Sequence, residues 1–424
     1  MQDDVQEQLA LLRRRIARIN QKYVRGEPRQ RLGANPFLRR QQLKPARYCV
    51  EQWLAGEEVE SPHGRHFESV RLWELHRRHG SMELSQLTEL PADLFHAISE
   101  GAIAPADCRR WAFLDTETTG LAGGTGTYAF LVGVGRITRE GFHLRQFFMR
   151  EPCEEPSLLH ALSEYLKDFQ VLVTYNGRTY DEPLLETRYR LARAPSPFNR
   201  LSHMDLLFGA RRLWNLRFDS CRLIDLERQI LGFEREGDLP GEMIPYVYQD
   251  YLRTKEAFRV APILHHNAYD ILTLACLTAI VPQAFRTPAE THMLHGPELV
   301  GLGRWLYKSG RQEEAASLFR RALDRGLPDG LLFRTMWDLA RIEKKAGRCQ
   351  QALALLEELS GCPNPYRVSA CEELAKFFEH EARDLFRALH LVRQALEHAD
   401  TDGLRRRRQR LERKLQQSAG DLML

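Results

Sequence analysis

The chain has 424 residues, of which 43% are hydrophobic and 28% are charged, and its formal net charge at pH 7 is +4. This composition excludes a disordered, collagen-like or disulfide-scaffold protein, and the length predicts two or three domains. No apolar run approaches the roughly 20 residues that a membrane helix needs, so we expect no membrane contact. The eight cysteines form no CxxC pair, which favours reduced thiols and therefore a cytoplasmic protein.

Residues 1–108 are predicted to form a basic N-terminal helix and a small lead-in region. Apolar residues recur at helical spacing near the start, at Leu9, Leu11, Leu12, Ile16 and Ile19. An arginine cluster at residues 13–15 makes this helix basic, and a second cluster at residues 405–408 lies near the other end. Such clusters either bind phosphate groups or form the solvated face of a helix. Residues 56–73 predict a small β-hairpin.

Residues 109–287 alternate apolar strand-like segments with helical ones, which predicts a domain of the α/β class. Strands are expected at residues 111–117, 127–138, 141–150 and 171–176, and helices at residues 157–169, 182–194, 221–232 and 267–285. The second and third strands are close enough along the chain to form a hairpin. We therefore predict a mixed sheet with an antiparallel hairpin at its start and helices on its faces.

Residues 288–424 carry no strand signal and are predicted to form an all-α helical-repeat domain. Aligned segments begin at Gly310, Gly347 and Ala382. Within them, alanines recur after 37 and then 36 residues, at Ala315, Ala352 and Ala388. This period is close to the tetratricopeptide length of about 34 residues, in which small residues occupy the points where helices cross. The alternative is an irregular helical bundle whose segments are similar by chance.

The strongest local signal is the pair Asp115 and Glu117, at the end of an apolar strand. Residues i and i+2 of a strand point to the same face, so these two carboxylates project together. Burying two like charges side by side is costly unless cations compensate them. Oxygen ligands without a neighbouring Cys or His favour Mg²⁺ or Mn²⁺ over zinc. We therefore expect a pair of divalent ions here; the alternative is a strand end that reaches into solvent.

Two further segments carry candidate acids. Asp181 begins a helix shortly after the predicted Asn176–Gly177 turn, where a plain N-cap is the alternative interpretation. Asp270 lies in the first turns of an apolar helix and shares a face with His266, four residues earlier. Each residue alone is more typical of a helix cap or of the surface. The occurrence of all three acidic segments in this order is what favours a site.

The order DxE, YNGxxxD and HNxxD resembles the DEDD-type 3′–5′ exonucleases of the ribonuclease H-like fold, and within them the YprB-like group of bacterial proteins. The resemblance covers residues 109–285 and implies a ribonuclease H-like mixed sheet. It also implies that four carboxylates hold two Mg²⁺ or Mn²⁺ ions for in-line phosphoryl transfer, at Asp115, Glu117, Asp181 and Asp270. Tyr175 and Asn176, beside the second motif, are expected either to contact the substrate backbone or to pack at a strand end.

One residue near the third motif divides this family into two branches. One branch has Tyr four residues before the last Asp, and the other has His five residues before it. Here His266 lies four residues before Asp270 and His265 lies five before it. Either imidazole is therefore a candidate to orient or deprotonate the attacking water. We favour His266, because its HNxxD run aligns with the YNxxD run of the Tyr branch.

These features together predict a two-metal nuclease that hydrolyses phosphodiester bonds, as a 3′–5′ exonuclease on single-stranded DNA or RNA. The helical repeats are expected to recruit a protein partner. The alternative is a catalytically inactive protein that binds nucleic acid or serves as a scaffold, and the unusual histidine pair keeps that interpretation open. A third interpretation is an endonuclease on structured nucleic acid, because open sheets of this class support several modes of cleavage.

Overall fold

The computed structural model describes residues 50–120, 126–291 and 293–421. The basic helix predicted at the start of the chain lies outside these residues. The described residues divide into two compact units, one formed by residues 50–211 and 220–286 and the other by residues 212–219 and 287–421. The division into three domains at residues 108 and 287 stays a prediction.

Nine strands form in the described part of the first unit. In chain order they are β1 (Glu57–Ser61), β2 (Gly64–Glu74), β3 (Arg78–His79), β4 (Met82–Glu83), β5 (Trp111–Thr118), β6 (Ala129–Ile137), β7 (Gly141–Phe148), β8 (Val171–Thr174) and β9 (Ser202–Asp205). Seven of them build one sheet in the order β1-β2-β7-β6-β5-β8-β9, and β3 pairs with β4 separately. The pairs from β1 to β5 are antiparallel, whereas β5, β8 and β9 run parallel. The predicted mixed α/β sheet is confirmed.

The two ends of this sheet differ in how well the sequence predicts them. The hairpin expected at residues 56–73 is present as β1 and β2, and β2 extends the sheet by pairing with β7. β6 is buried along almost its whole length, as its run of apolar residues predicts. β9 was not predicted, because its four residues, Ser-His-Met-Asp, contain no apolar run. It is a strand because it pairs in parallel with β8.

Seven α-helices lie in or begin in the described part of the first unit. They are α1 (Leu94–Ile98), α2 (Glu155–Leu166), α3 (Asp181–Leu191), α4 (Leu206–Trp214), α5 (Leu223–Leu226), α6 (Ile244–Thr254) and α7 (Ala261–Arg286). α5 continues as a π-helical turn, Glu227–Leu231, which ends at Gly232 with φ of 66°. Glycine adopts that left-handed conformation without strain, so the helix predicted at residues 221–232 stops where its sequence indicates.

α7 packs across one face of the sheet, against β5, β6 and β7. Its close approach depends on Gly133 of β6, where a Cβ atom would lie 2.3 Å from both Asn267 Oδ1 and Ile271 Cδ1. The segment Ala257–Arg286 is also long and apolar enough to cross a membrane by length and composition alone. However, 72% of its apolar window is buried inside the protein, which is typical of a core helix. The expectation that no apolar run is long enough to cross a membrane was wrong for this segment, by its length and composition.

Helices alone make up the described part of the chain after residue 290. They are α8 (Gly296–Lys308), α9 (Gln312–Arg325), α10 (Asp329–Lys345), α11 (Cys349–Gly361), α12 (Arg367–His380), α13 (Leu385–Leu396) and α14 (Asp402–Asp421). α8 packs on α9, α10 on α11, and α12 on α13. The aligned alanines are buried in α9, α11 and α13, at Ala315, Ala352 and Ala388. The predicted all-α region is confirmed, whereas its assignment to tetratricopeptide repeats stays a prediction.

Candidate functional site

Asp115 and Glu117 lie at the end of β5, and Asp115 is anchored from α7. Asn267 donates from Nδ2 to Asp115 Oδ2 over 2.8 Å and to the Asp115 carbonyl over 3.2 Å. The amide oxygen of Asn267 accepts a hydrogen bond from Gln146 Nε2 on β7 over 2.8 Å, which fixes the orientation of the amide. The first acid is thus held between the central strand and the helix that covers it.

Asp181 reaches the same place from the start of α3. Tyr180 occupies the N-cap position of that helix, so the carboxylate of Asp181 does not serve as the cap. Instead it accepts a hydrogen bond from Thr116 Oγ1 over 2.5 Å. The bond ties the start of α3 to β5, and the charge of Asp181 is close enough to raise the pKa of both Asp115 and Glu117. The capping interpretation of Asp181 was therefore wrong.

The loop before α3 is held by a different acid, Asp205 at the end of β9. Its carboxylate accepts hydrogen bonds from the backbone N–H groups of Asn176, over 2.8 Å, and Arg178, over 3.1 Å. Asn176 has φ of 68°, a left-handed conformation that asparagine tolerates in tight turns. The hydroxyl of Tyr175 donates to the carbonyl of Cys221. These contacts make the turn and pack the strand end, and a substrate role for Tyr175 and Asn176 stays a prediction.

His266 and Asp270 complete the cluster from one face of α7. One ligand atom from each of Glu117, His266 and Asp270 lies within 4.8 Å of the other two, a spacing that one metal ion can bridge. His266 Nε2 is 3.3 Å from Asp270 Oδ2. The ring of His265 instead packs edge-on against Tyr269, with centroids 4.6 Å apart. Among the described contacts, His266 is therefore the histidine that lies against the carboxylates.

Asp238 is a fifth carboxylate that the sequence did not reveal. Nδ1 of His266 donates to it, at 2.9 and 3.0 Å from its two carboxylate oxygens. A carboxylate on one ring nitrogen fixes the imidazole and leaves the other nitrogen facing Asp270. Asp238 lies between Gly232 and α6, in a stretch with no strand or helix period, so no spacing signal could have found it.

Arg235, from the same stretch, is a buried cation that the sequence also did not reveal. Its guanidinium donates over 2.6 Å to Asp270 Oδ1 and over 2.6 Å to Glu227 Oε2, and it lies 3.3 Å from Asp238. Only 2% of its side chain is exposed. Glu227 also contacts His79 at 3.0 Å, so the arginine is fixed by a buried polar network behind the acids.

The acids divide into two groups by the direction of their pKa shifts. Burial, followed by repulsion from the other carboxylates, raises the pKa of Asp115 well above its usual range. Burial also raises the pKa of Glu117 to about 8 and that of Asp181 to about 6. For Asp270, burial is outweighed by the charges of His266 and Arg235, so its pKa is below the usual range. Three acids thus have an unfavourable negative charge, and one is already compensated.

The same electrostatics determine the charge of His266. Burial by itself lowers the pKa of the imidazole, but the Asp270 charge and the hydrogen bond to Asp238 outweigh burial and raise the pKa well above its ordinary value. His266 is therefore cationic in this arrangement and contacts Asp270 and Asp238.

The residues of this cluster fit divalent cations. Asp115, Glu117 and Asp181 offer oxygen ligands whose negative charge is unfavourable without a further cation. Arg235 and His266 bring positive charge, but among the described contacts both pair with Asp270 rather than with Asp115 or Asp181. Carboxylate oxygens are the ligands that Mg²⁺ and Mn²⁺ prefer, and a bound cation lowers the pKa of a carboxylate that burial and repulsion have raised.

Comparisons with known proteins agree with this fold. Residues 112–281 match the RNase_H superfamily. The class that the sheet and its acids define is therefore a ribonuclease H-like, nuclease-like domain. One relative, Uncharacterized protein YprB of Bacillus subtilis (strain 168), is 32% identical over 354 residues, which are 80% of this chain and 84% of that protein. The chain belongs to the YprB family within the RNase_H superfamily, as its motifs predicted.

Proposed function

We propose that this protein is a DEDD-type nuclease that hydrolyses phosphodiester bonds as a 3′–5′ exonuclease on single-stranded DNA or RNA. One observation carries the proposal: acids from three separate segments meet at the end of β5, and three of them have raised pKa values. Burial of uncompensated carboxylates is unfavourable in a purely structural role. At a site for divalent cations it is the expected arrangement.

Four acids of the cluster are the residues that would hold two Mg²⁺ or Mn²⁺ ions, namely Asp115, Glu117, Asp181 and Asp270. When bound, such a pair supplies an acidified water and charge that stabilises the phosphoryl oxygens. The protein's own contribution is to fix the acids before substrate arrives. Asn267 holds Asp115, Thr116 holds Asp181, and Arg235 holds Asp270 by one carboxylate oxygen.

His266 is the residue that we assign to proton transfer. Asp238 binds Nδ1 and leaves Nε2 facing the acids, where a water that attacks phosphorus gives up its proton. The imidazole is cationic while the carboxylates around it are uncompensated. Cations held by Glu117 and Asp270 would remove part of the negative charge that raises the pKa of His266, and Nε2 would then be able to accept the proton. His265, which packs on Tyr269, is the less favoured candidate for this role.

Cleavage of labelled oligonucleotides tests the proposal. Single-stranded DNA and RNA, labelled at the 5′ or the 3′ end, are incubated with the full chain and Mg²⁺ or Mn²⁺. A 3′–5′ exonuclease converts the 5′-labelled strand into a ladder and releases the 3′ label at once as a mononucleotide. Asp115→Asn is expected to abolish cleavage, because the site requires that charge. Asp168→Asn, at an exposed carboxylate outside the cluster, is the matched control and should retain activity.

A second candidate function is a nucleic-acid-binding or scaffold protein without catalysis. The observation that favours it is the pair of Arg235 and Asp270, which compensates one acid without any metal. Thermal unfolding with Mn²⁺ separates the two functions, because a ligand that binds only the folded state raises its stability. A nuclease site should give a shift that depends on Asp115, and a scaffold should give none.

We further propose that the protein acts in the cytoplasm and that residues 288–424 are a tetratricopeptide-like domain that binds a protein partner. The paired helices and the buried alanines at Ala315, Ala352 and Ala388 support the repeat assignment. The eight cysteines form no CxxC pair, which supports a reducing compartment. Pull-down of partners with residues 288–424 deleted from an otherwise full chain tests the partner-binding role.

A further inference from the structure

α14 has an unusually basic sequence for a surface helix. Its basic residues are Arg405, Arg406, Arg407, Arg408, Arg410, Arg413 and Lys414, against acidic residues at Asp402, Glu412 and Asp421. The apolar side of the helix is already used, because Leu404 and Leu411 are buried in the core of the second unit. The positive charge of α14 therefore lies on a helix whose apolar face is already packed in the core.

Three of these cations converge on one carboxylate, Glu379 of α12. Arg407 contacts it at 2.9 Å, Arg410 donates to both of its oxygens over 2.6 and 2.9 Å, and Lys414 contacts it at 2.9 Å. The Glu379 side chain is fully buried. These contacts bring three positively charged side chains to one carboxylate and fix α14 against α12.

Arg406 and Arg413 place further positive charge on the outer surface of this helix. Arg406, Arg410 and Arg413 recur at i, i+4 and i+7, so they form one stripe along α14, about 10 Å long at 1.5 Å per residue. All three are exposed. Among the described residues, Arg406 has no ion pair, and the hydrogen bond of Arg413 goes to the Gln409 carbonyl at 3.4 Å. At Arg406 and Arg413 the stripe therefore presents guanidinium groups whose donors are largely available to a ligand, whereas Arg410 lies between them and is held by Glu379.

The composition of the stripe indicates which ligand it fits. Guanidinium groups bind phosphate in a bidentate manner, and a row of them matches a chain of regularly spaced phosphates. Up to residue 417, the exposed positions around the stripe, such as Gln409, Gln416 and Gln417, are polar, so this described part of the surface lacks the apolar side chains with which a helix inserts into a membrane. A row of arginines without an apolar anchor is also unlike the centre of a protein–protein interface.

We propose that the stripe of Arg406, Arg410 and Arg413, with Arg407 and Lys414 beside it, binds the phosphate backbone of a nucleic acid without sequence preference. The inference rests on the proposed function in that the bound strand is the same class of polymer as the proposed substrate. It adds a second contact for that polymer, on the all-α part of the chain. Its role is to hold the strand, and none of these residues is assigned to the chemistry.

Binding is tested with the full chain carrying Asp115→Asn, so that the probe stays intact. The probe is a fluorescent single-stranded 30-mer of DNA or RNA, and anisotropy is measured over a range of salt concentrations. Arg406→Gln with Arg413→Gln should raise the Kd on the order of tenfold and reduce the slope of log K against log salt by about 1.4. Arg410 is left intact because it also holds Glu379, so the variant should keep the wild-type Tm.

The matched control removes two exposed charges from another helix of the same unit, by Arg341→Gln with Lys345→Gln on α10. It should leave both the Kd and the salt slope unchanged. An unchanged Kd in the α14 variant, or an equal loss in both variants, would overturn the proposal. Stripe-dependent binding to phosphatidylserine vesicles or to an acidic peptide, without stripe-dependent binding to the 30-mer, would overturn it as well.

A cleavage assay on the chain without Asp115→Asn tests the proposed function separately from the stripe proposal. If the chain cleaves oligonucleotides and the stripe variant binds like the control, the stripe proposal alone fails. If no cleavage occurs but binding still depends on Arg406 and Arg413, the nuclease proposal fails and the stripe proposal stands.

Discussion

Replacing Glu117 by Gln should stabilise the protein in the absence of metal. The pKa of Glu117 is raised from about 4.5 to about 8, chiefly by burial and by the carboxylates around it. An acid whose folded pKa is raised lowers the stability of the folded state as pH rises from 4.5 to 8. Glutamine has nearly the same shape and never acquires the charge. The variant should therefore be the more stable protein above pH 8.

The size of this effect follows from the pKa. Each pH unit corresponds to about 1.4 kcal/mol, so a pKa of about 8 in place of 4.5 sets an upper limit of about 5 kcal/mol. The neighbouring acids titrate together with Glu117, so removing one of them relieves part of the total. We expect about 2–3 kcal/mol, which corresponds to a rise in Tm of about 5–10 °C for a domain of this size.

Thermal unfolding in EDTA measures this difference between pH 5 and pH 8.5. The two proteins should have nearly equal Tm at pH 5, and Glu117→Gln should be ahead at pH 8.5. With Mn²⁺ at about 1,000 times its Kd, the wild type should gain about 4.1 kcal/mol, which exceeds the advantage of the variant, and the order should reverse. If Glu117→Gln is not the more stable protein in EDTA at pH 8.5, or if the difference in Tm is the same at pH 5 and pH 8.5, the charge of Glu117 does not destabilise the folded state.

Three further substitutions have definite expected outcomes. Glu379→Gln should destabilise the second unit by about 3 kcal/mol in urea unfolding, because Arg407, Arg410 and Lys414 lose the negative charge that they contact. The pKa of Glu379 is lowered to about 2, so the stability advantage of the wild type should be present above pH 4.5 and vanish as the pH falls toward 2. Asp238→Asn should lower kcat by 10-fold or more while leaving the Mn²⁺-induced shift in Tm intact, because it orients His266 without being assigned to metal; loss of the shift would contradict this role. Gly133→Ala should cost about 1–3 kcal/mol in urea unfolding, because its Cβ would lie 2.3 Å from Asn267 Oδ1, whereas an unchanged midpoint would show that α7 is free to move away.

The sheet and four of its acids were predictable because they depend on short-range patterns. The apolar run before Asp115 defines β5, and the i, i+2 spacing places Glu117 on the same side of the strand. Asp270 and His266 share a face of α7 for the same kind of reason, at i, i+4. In each case the side-chain direction follows from the local backbone, and the only further requirement was that the segments meet at one end of the sheet.

Arg235 and Asp238 were not predictable for the opposite reason. They lie in the irregular stretch between Gly232 and α6, where no period fixes the direction of a side chain. Their positions are set by tertiary contacts, the guanidinium with Glu227 and Asp270 and the carboxylate with His266. The choice between His265 and His266 likewise needed the structure, because neighbouring helical residues differ by about 100° in direction.

The acids at the end of β5 are predicted to bind two divalent ions. Isothermal titration calorimetry of the full chain with Mn²⁺ at pH 8 measures the number of bound ions and their affinity, beside Asp115→Asn and the control Asp168→Asn. We predict two ions per chain in the wild type and in the control, and weakened or fewer ions in Asp115→Asn. Absence of saturable binding in the wild type, or the same binding curve in Asp115→Asn, would contradict the account.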